Sequence, residues 1–157
     1  MKKRTIVIIA ASASLLCAIG VVIFLPRESS NPFSLDPLAT LWDGNHRTVT
    51  RQEGRTICIP GIDSLTFQAG TTTQSVNFQN PEINGDRLFQ FILYVEDVPM
   101  WESGYCRAGF GYYTIDINHA LTEGEYPAAL QVRCFTPDGT ELNGAKIKFT
   151  LYVEEPP

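Results

Sequence analysis

Two alternating runs near the C-terminal end, separated by a turn, dictate what the rest of the chain has to supply. From Tyr126 to Phe135, Leu130, Val132 and Cys134 fall on one side and Gln131 and Arg133 on the other; further on, Ile147, Phe149, Leu151 and Val153 alternate with Lys146, Lys148, Thr150 and Tyr152. A period of two is the mark of a strand with one buried face. Thr136-Pro137-Asp138-Gly139 lies between the runs. Proline presets φ and glycine takes positive φ freely, so the pair predicts an antiparallel hairpin. Its apolar face has to be covered, and the preceding hundred residues are expected to cover it.

Those residues read as short strands separated by turn signals. Thr56 to Ile59 is β-prone and stops at Pro60-Gly61; Leu65 to Ala69 and Ser75 to Phe78 follow. Asn80 to Asp86 is a turn. Leu88 to Val95 is the most apolar segment, with Phe89, Phe91, Leu93 and Val95 on one side and Gln90, Ile92 and Tyr94 on the other, which predicts a central strand. Val98 to Trp101 reads as an edge segment, and Ser103-Gly104 and Gly109-Phe110-Gly111 as turns. Tyr113, Ile115 and Ile117 alternate with Thr114, Asp116 and Asn118, so Tyr113 is expected in the core. Seven or eight short strands with no helical period predict an all-β domain over residues 55–157, an immunoglobulin-like Greek-key β-sandwich. Leu121, Gly124 and Tyr126 have the spacing of a tyrosine corner, in which the phenol bonds to upstream backbone.

The front of the chain is different in kind. Residues 1–4 carry Lys2, Lys3 and Arg4, and Thr5 to Leu25 contains no charged residue before Pro26-Arg27. Such a run spans roughly 31 Å as a helix at ~1.5 Å per residue, about the thickness of a hydrocarbon core. A cleaved signal peptide is the competing reading, and Ala18-Ile19-Gly20 offers a cleavage site, but Val21 to Leu25 prolongs the apolar run beyond it. Lipid modification at Cys17 is disfavoured by the bulky Leu16 before it. The expectation is therefore a single transmembrane helix over residues 5–26. The flanking positive charges orient it with the N-terminus cytoplasmic and the C-terminal domain extracellular. Residues 27–54, rich in Ser, Asn, Pro, Asp and Arg, read as a polar stalk, with Trp42 either docking on the domain or anchoring a partner.

Beyond Arg27 there are eight basic residues against all seventeen acidic ones, a net charge of −9. Such a surface repels nucleic acid and anionic lipid headgroups, which points to neutral or cationic partners. Of the four cysteines, Cys58, Cys106 and Cys134 follow the apolar run. Three permit at most one bridge, in any of three pairings, and leave one thiol free; Cys134 also reads as a small buried hydrophobe.

Chemistry-bearing motifs are sparse. His46 and His119 have no cysteine or carboxylate at ligand-like spacing, so no metal is expected, and no cofactor is implied, because Gly109-Phe110-Gly111 lacks the third glycine of a dinucleotide loop. Glu96, Asp97 and Glu102 are oxygen donors of the kind calcium takes, but read more simply as solvated charges. No nucleophile and base are recognisable together, so no enzymatic activity is expected. The candidate binding residues are aromatic: Trp101, Tyr105, Phe110 and Tyr112, close in sequence around an edge strand, form an expected platform for sugar stacking or protein contact.

Ile59-Pro60-Gly61, Ser64-Leu65-Thr66-Phe67, Gln74-Ser75-Val76-Asn77-Phe78, Asn80-Pro81, Tyr126 and Leu142-Asn143-Gly144-Ala145 together resemble a family of small cell-surface proteins of Gram-positive Firmicutes, found in gut species and their mobile elements. The resemblance runs from Cys58 to Val153 and implies a membrane-tethered immunoglobulin-like sandwich. It brings no activity and no catalytic residues. Cys106 departs from it, standing where the family more often has an aliphatic residue. The expected function is that of a non-enzymatic extracellular interaction module, in adhesion or as an accessory to a surface apparatus, whose partner is a protein or glycan on the cell exterior. The alternative is a carbohydrate-binding module built around Trp101.

Overall fold

A computed structural model describes residues 34–43 and 57–156. The expected transmembrane helix at 5–26 lies outside them, and among the described residues no helix is long and apolar enough to cross a membrane. They form two sheets: β2 (Ser64–Gln68), β9 (Glu141–Glu154), β8 (Gly124–Phe135), β4 (Leu88–Val95) and β5 (Val98–Glu102) run side by side in that order, with β6 (Cys106–Arg107) also on β4. Facing them is a smaller sheet, β1 (Thr40–Leu41), β7 (Phe110–Asp116) and β3 (Thr73–Asn80). The described residues thus form an all-β sandwich. Seven strands have five residues or more; β1 and β6 have two each.

The terminal hairpin is the backbone of the larger sheet. β8 and β9 pair antiparallel from Gly124↔Val153 to Phe135↔Glu141, and the expected faces hold: Leu130, Val132, Cys134, Phe149, Leu151 and Val153 are buried. β4 lies centrally against β8 on one side and β5 and β6 on the other, and Phe89, Phe91, Leu93 and Val95 point into the core. β2 closes the opposite edge by pairing with β9 in parallel. A two-residue loop, Glu96-Asp97, joins β4 to β5 with both residues at positive φ, 51° and 63°.

Four expectations are corrected. Thr56 to Ile59 does not continue into a strand: residues 57–62 carry no strand, because both backbone groups of Cys58 are taken by one side chain. Asn84 Oδ1 accepts the Cys58 N–H at 2.8 Å and Asn84 Nδ2 donates to the Cys58 carbonyl at 2.9 Å, standing where a neighbouring strand would. The strand expected from Tyr113 keeps Ile115 and Ile117 in the core, but Tyr113 itself is turned outward. The β3–β7 register shifts between Ser75 and Phe78, so Tyr112 and Ile115 are buried while Tyr113 faces outward. Phe110-Gly111 belongs to β7 rather than to a turn, which Gly109 makes alone at φ 81°.

The fourth concerns the stalk. Residues 34–43 are a strap built into the domain. Leu35 bridges Tyr105 in parallel, β1 pairs with β7 through Thr40↔Gly111 and Leu41↔Phe110, and the Trp42 N–H donates to Gly109 O at 2.9 Å. Trp42 stacks on Tyr113 with ring centroids 4.4 Å apart, on the outer face of the smaller sheet. Gly111 makes this possible, since a Cβ there would lie 2.4 Å from the Phe78 carbonyl and 2.8 Å from the Trp42 ring.

Candidate functional site

The four aromatic candidates do not make one platform. Tyr112 is buried between the sheets, with Phe91 and Trp101 edge-on against it at 6.0 and 5.1 Å. Trp101, half-buried on the edge strand β5, also lies 5.9 Å from Phe78, so much of its ring area serves the interior. Tyr105 packs edge-on against Phe135 at 5.3 Å, and Phe110 carries the Arg107 guanidinium over its ring at 3.8 Å. A small cleft of about 170 Å³ between the strap and β6–β7 brings Tyr105 and Phe110 together beside Arg107 and Asp36. Sequence proximity misled here because, across the register shift between β3 and β7, Tyr112 is buried and Tyr113 faces outward.

Asp36 is the polar residue that the sequence did not single out. Its carboxylate accepts the Tyr112 hydroxyl and the Gly104 N–H at Oδ2 and the Leu38 N–H at Oδ1, each at 2.8 Å. Burial, reinforced by the bond to Asp36, raises the Tyr112 phenol well above its usual range, so this hydroxyl is a fixed donor. Its one sequence signal is Asp before Pro37-Leu38, a local turn pattern in which Asp bonds two residues on.

Buried amides recur at strand ends. Gln74 donates to the carbonyls of Gln68 and Thr71 and accepts the Gln68 N–H, joining β3 to β2; Asn80 donates to the carbonyls of Arg87 and Cys106. These groups close gaps between the sheets and are satisfied internally.

The cysteines Cys58, Cys106 and Cys134 are free thiols in buried positions. Cys106 and Cys134 sit opposite Phe89 from its two neighbouring strands. Burial pushes the Cys106 thiol up to about 12 and raises Cys134 too. Thiols held protonated this way are poor nucleophiles. Among the described residues no group of three or more His, Cys, Asp or Glu gathers as a metal site. Of the calcium candidates, Glu96 and Asp97 form the β4–β5 turn, whereas Glu102, at the far end of β5, accepts a bond from Gln90 at 2.9 Å.

Tyr126, Gly124 and Leu121 meet at the start of β8. The Tyr126 hydroxyl donates to the Thr122 carbonyl at 3.0 Å, and Gly124, at φ 155°, lies directly beneath the phenol, where an added Cβ would be 3.5 Å from the ring. Leu121 is half-buried against the core, and its carbonyl accepts the Gly70 N–H at 3.0 Å.

A cleft of about 330 Å³ opens between β3 and residues 59–64 and reaches inward to Phe91, Leu130 and Val132. Trp42 forms part of its wall, and the buried Trp42 Nε1 has no hydrogen-bond acceptor. No family model, curated protein or solved structure matches the chain.

Proposed function

We propose that the chain is a membrane-tethered extracellular interaction module whose domain is an immunoglobulin-like Greek-key sandwich, of the kind found on Gram-positive cell surfaces. In support of the fold, the first long strand, β2, runs parallel to the last, β9, in the order β2-β9-β8-β4-β5 over a sheet containing β7 and β3. The observation that carries the functional reading is how the reactive side chains are used. The Asp36 carboxylate holds the strap, the Tyr112 hydroxyl is locked onto it, and Cys106 and Cys134 are packed as apolar groups. Groups committed to the framework leave the domain to act through its surfaces, here a cleft along a strand edge and a net acidic exterior. Residues 5–26 anchor it, and residues 27–33 lead to the strap.

Photo-crosslinking on living cells, with identification of the attached molecule, tests the reading. A defined protein partner supports it, and turnover of an ester, peptide or glycoside by the purified protein refutes it. Protease shaving of intact cells tests the orientation, because survival of the domain while a surface control is digested would reverse the topology.

A further inference from the structure

The cleft beside β3 is a slot along a strand edge. It touches Asn77, Phe78 and Gln79 in succession, and successive side chains of a strand point to opposite faces. A cavity that meets all three therefore lies against the edge between them. β3 is bonded to β7 on one side only, and among the described residues no backbone group pairs with its other side. Both ends of this open stretch are closed, by the amides of Gln74 and Asn80. Ser75 and Asn77, between them, are exposed.

An unpaired strand edge presents N–H and C=O groups ready for another strand. The walls say what kind. On the inner side the slot meets Phe78, Leu130 and Val132, which suit an apolar side chain; on the outer side it meets Trp42, whose buried indole N–H lacks an acceptor that a peptide carbonyl can supply. The register shift between Ser75 and Phe78 bends the edge, which limits pairing to a short segment and works against sheet-to-sheet association of two copies. With a net charge of −9 beyond Arg27, a basic segment is favoured over an acidic one.

We propose that this slot receives an extended, basic peptide segment of a partner protein, which adds to β3 as a strand and places one apolar side chain inward against Phe78 and Leu130. The proposal rests on the interaction-module reading and specifies the chemistry of the partner. Recognition of this type draws affinity from main-chain hydrogen bonds and specificity from alternate side-chain pockets.

The test uses the full chain and the synthetic peptide Lys-Thr-Val-Thr-Val-Thr-Val-Lys with two N-methylated versions, each blocking the amides on one edge of the peptide. The unmodified peptide is expected to bind and to slow amide exchange across Ser75 to Gln79. One N-methylated version should lose at least tenfold in affinity while the other keeps most of it. Asn77→Pro, which removes a β3 N–H, should also lose binding; the N-methyl pair gives the same answer without altering the protein. Absence of binding up to millimolar peptide overturns the proposal, as does equal binding by both N-methylated forms. Slow exchange across Ser75 to Gln79 in the protein alone would assign the edge to this chain's own residues and likewise overturn it. A crosslinked partner elsewhere on the domain would then leave the module reading standing without the slot.

Discussion

The Asp36 carboxylate and the Tyr112 hydroxyl, 76 positions apart in sequence, meet at 2.8 Å and fasten the strap to the larger fold. Removing the carboxylate leaves a buried hydroxyl and the Gly104 N–H without their acceptor. Asp36→Ala should cost about 2 kcal/mol and Tyr112→Phe about 1 kcal/mol in chemical denaturation. Because they share a bond, the double variant should lose less than the two together; strict additivity would show that the bond contributes nothing.

Gly111 is a second fastening of the same strap. Gly111→Ala places a methyl group against backbone that cannot yield, so a loss of roughly 1–3 kcal/mol is expected, as for overpacked cores. Tryptophan emission should shift to the red as Trp42 leaves its stack on Tyr113. Unchanged stability and emission would mean that the strap does not lie there.

The buried thiols give a dependence on pH. In the unfolded chain Cys106 ionises near 9.0, whereas in the folded protein burial holds it protonated up to about 12. Above 9.0 the unfolded state therefore binds fewer protons, and stability that is complete below that pH is lost progressively as pH rises towards 12. Cys106→Ala should flatten this alkaline slope. At pH 8, iodoacetamide should leave Cys106 and Cys134 unmodified until denaturant is added; rapid labelling of either in the native protein would contradict their burial.

The Tyr126 bond to the Thr122 carbonyl is local and partly exposed. Tyr126→Phe should lose about 1 kcal/mol, the net value of one such bond, measured as a lower denaturation midpoint with an unchanged slope. A midpoint within error of the parent would reduce this tyrosine to a packing residue.

One change should stabilise. Glu96 and Asp97 both sit at positive φ in a two-residue hairpin loop, a conformation that Asn-Gly adopts readily. The double replacement Glu96→Asn, Asp97→Gly is expected to gain about 1 kcal/mol, and a loss would imply that the Lys146 contact to Asp97 matters more than backbone preference.

What could be read in advance followed from periodicity. Leu130 to Cys134, Phe149 to Val153 and Phe89 to Val95 alternate without interruption, and each face lies where alternation puts it. Tyr112 and Tyr113 were misassigned because a register shift is a property of two strands and leaves no trace in either alone. Asn84 acts in place of a strand through one amide, which looks like an ordinary turn residue. The strap was missed because β1 has only two residues, too few to show a period, and its hold depends on Asp36 and Gly111 acting across long stretches of chain.

The parallel clasp of β2 on β9 also has a mechanical meaning. Ser64 lies at one end of that ladder and Glu154 at the other, with five residue pairs in register between them. Tension pulling these ends apart would slide the two strands lengthwise, so the rungs resist together and cannot open one after another like a zipper; a tether drawn taut at the N-terminal side of β2 against a grip on the C-terminal end meets the domain along its toughest direction.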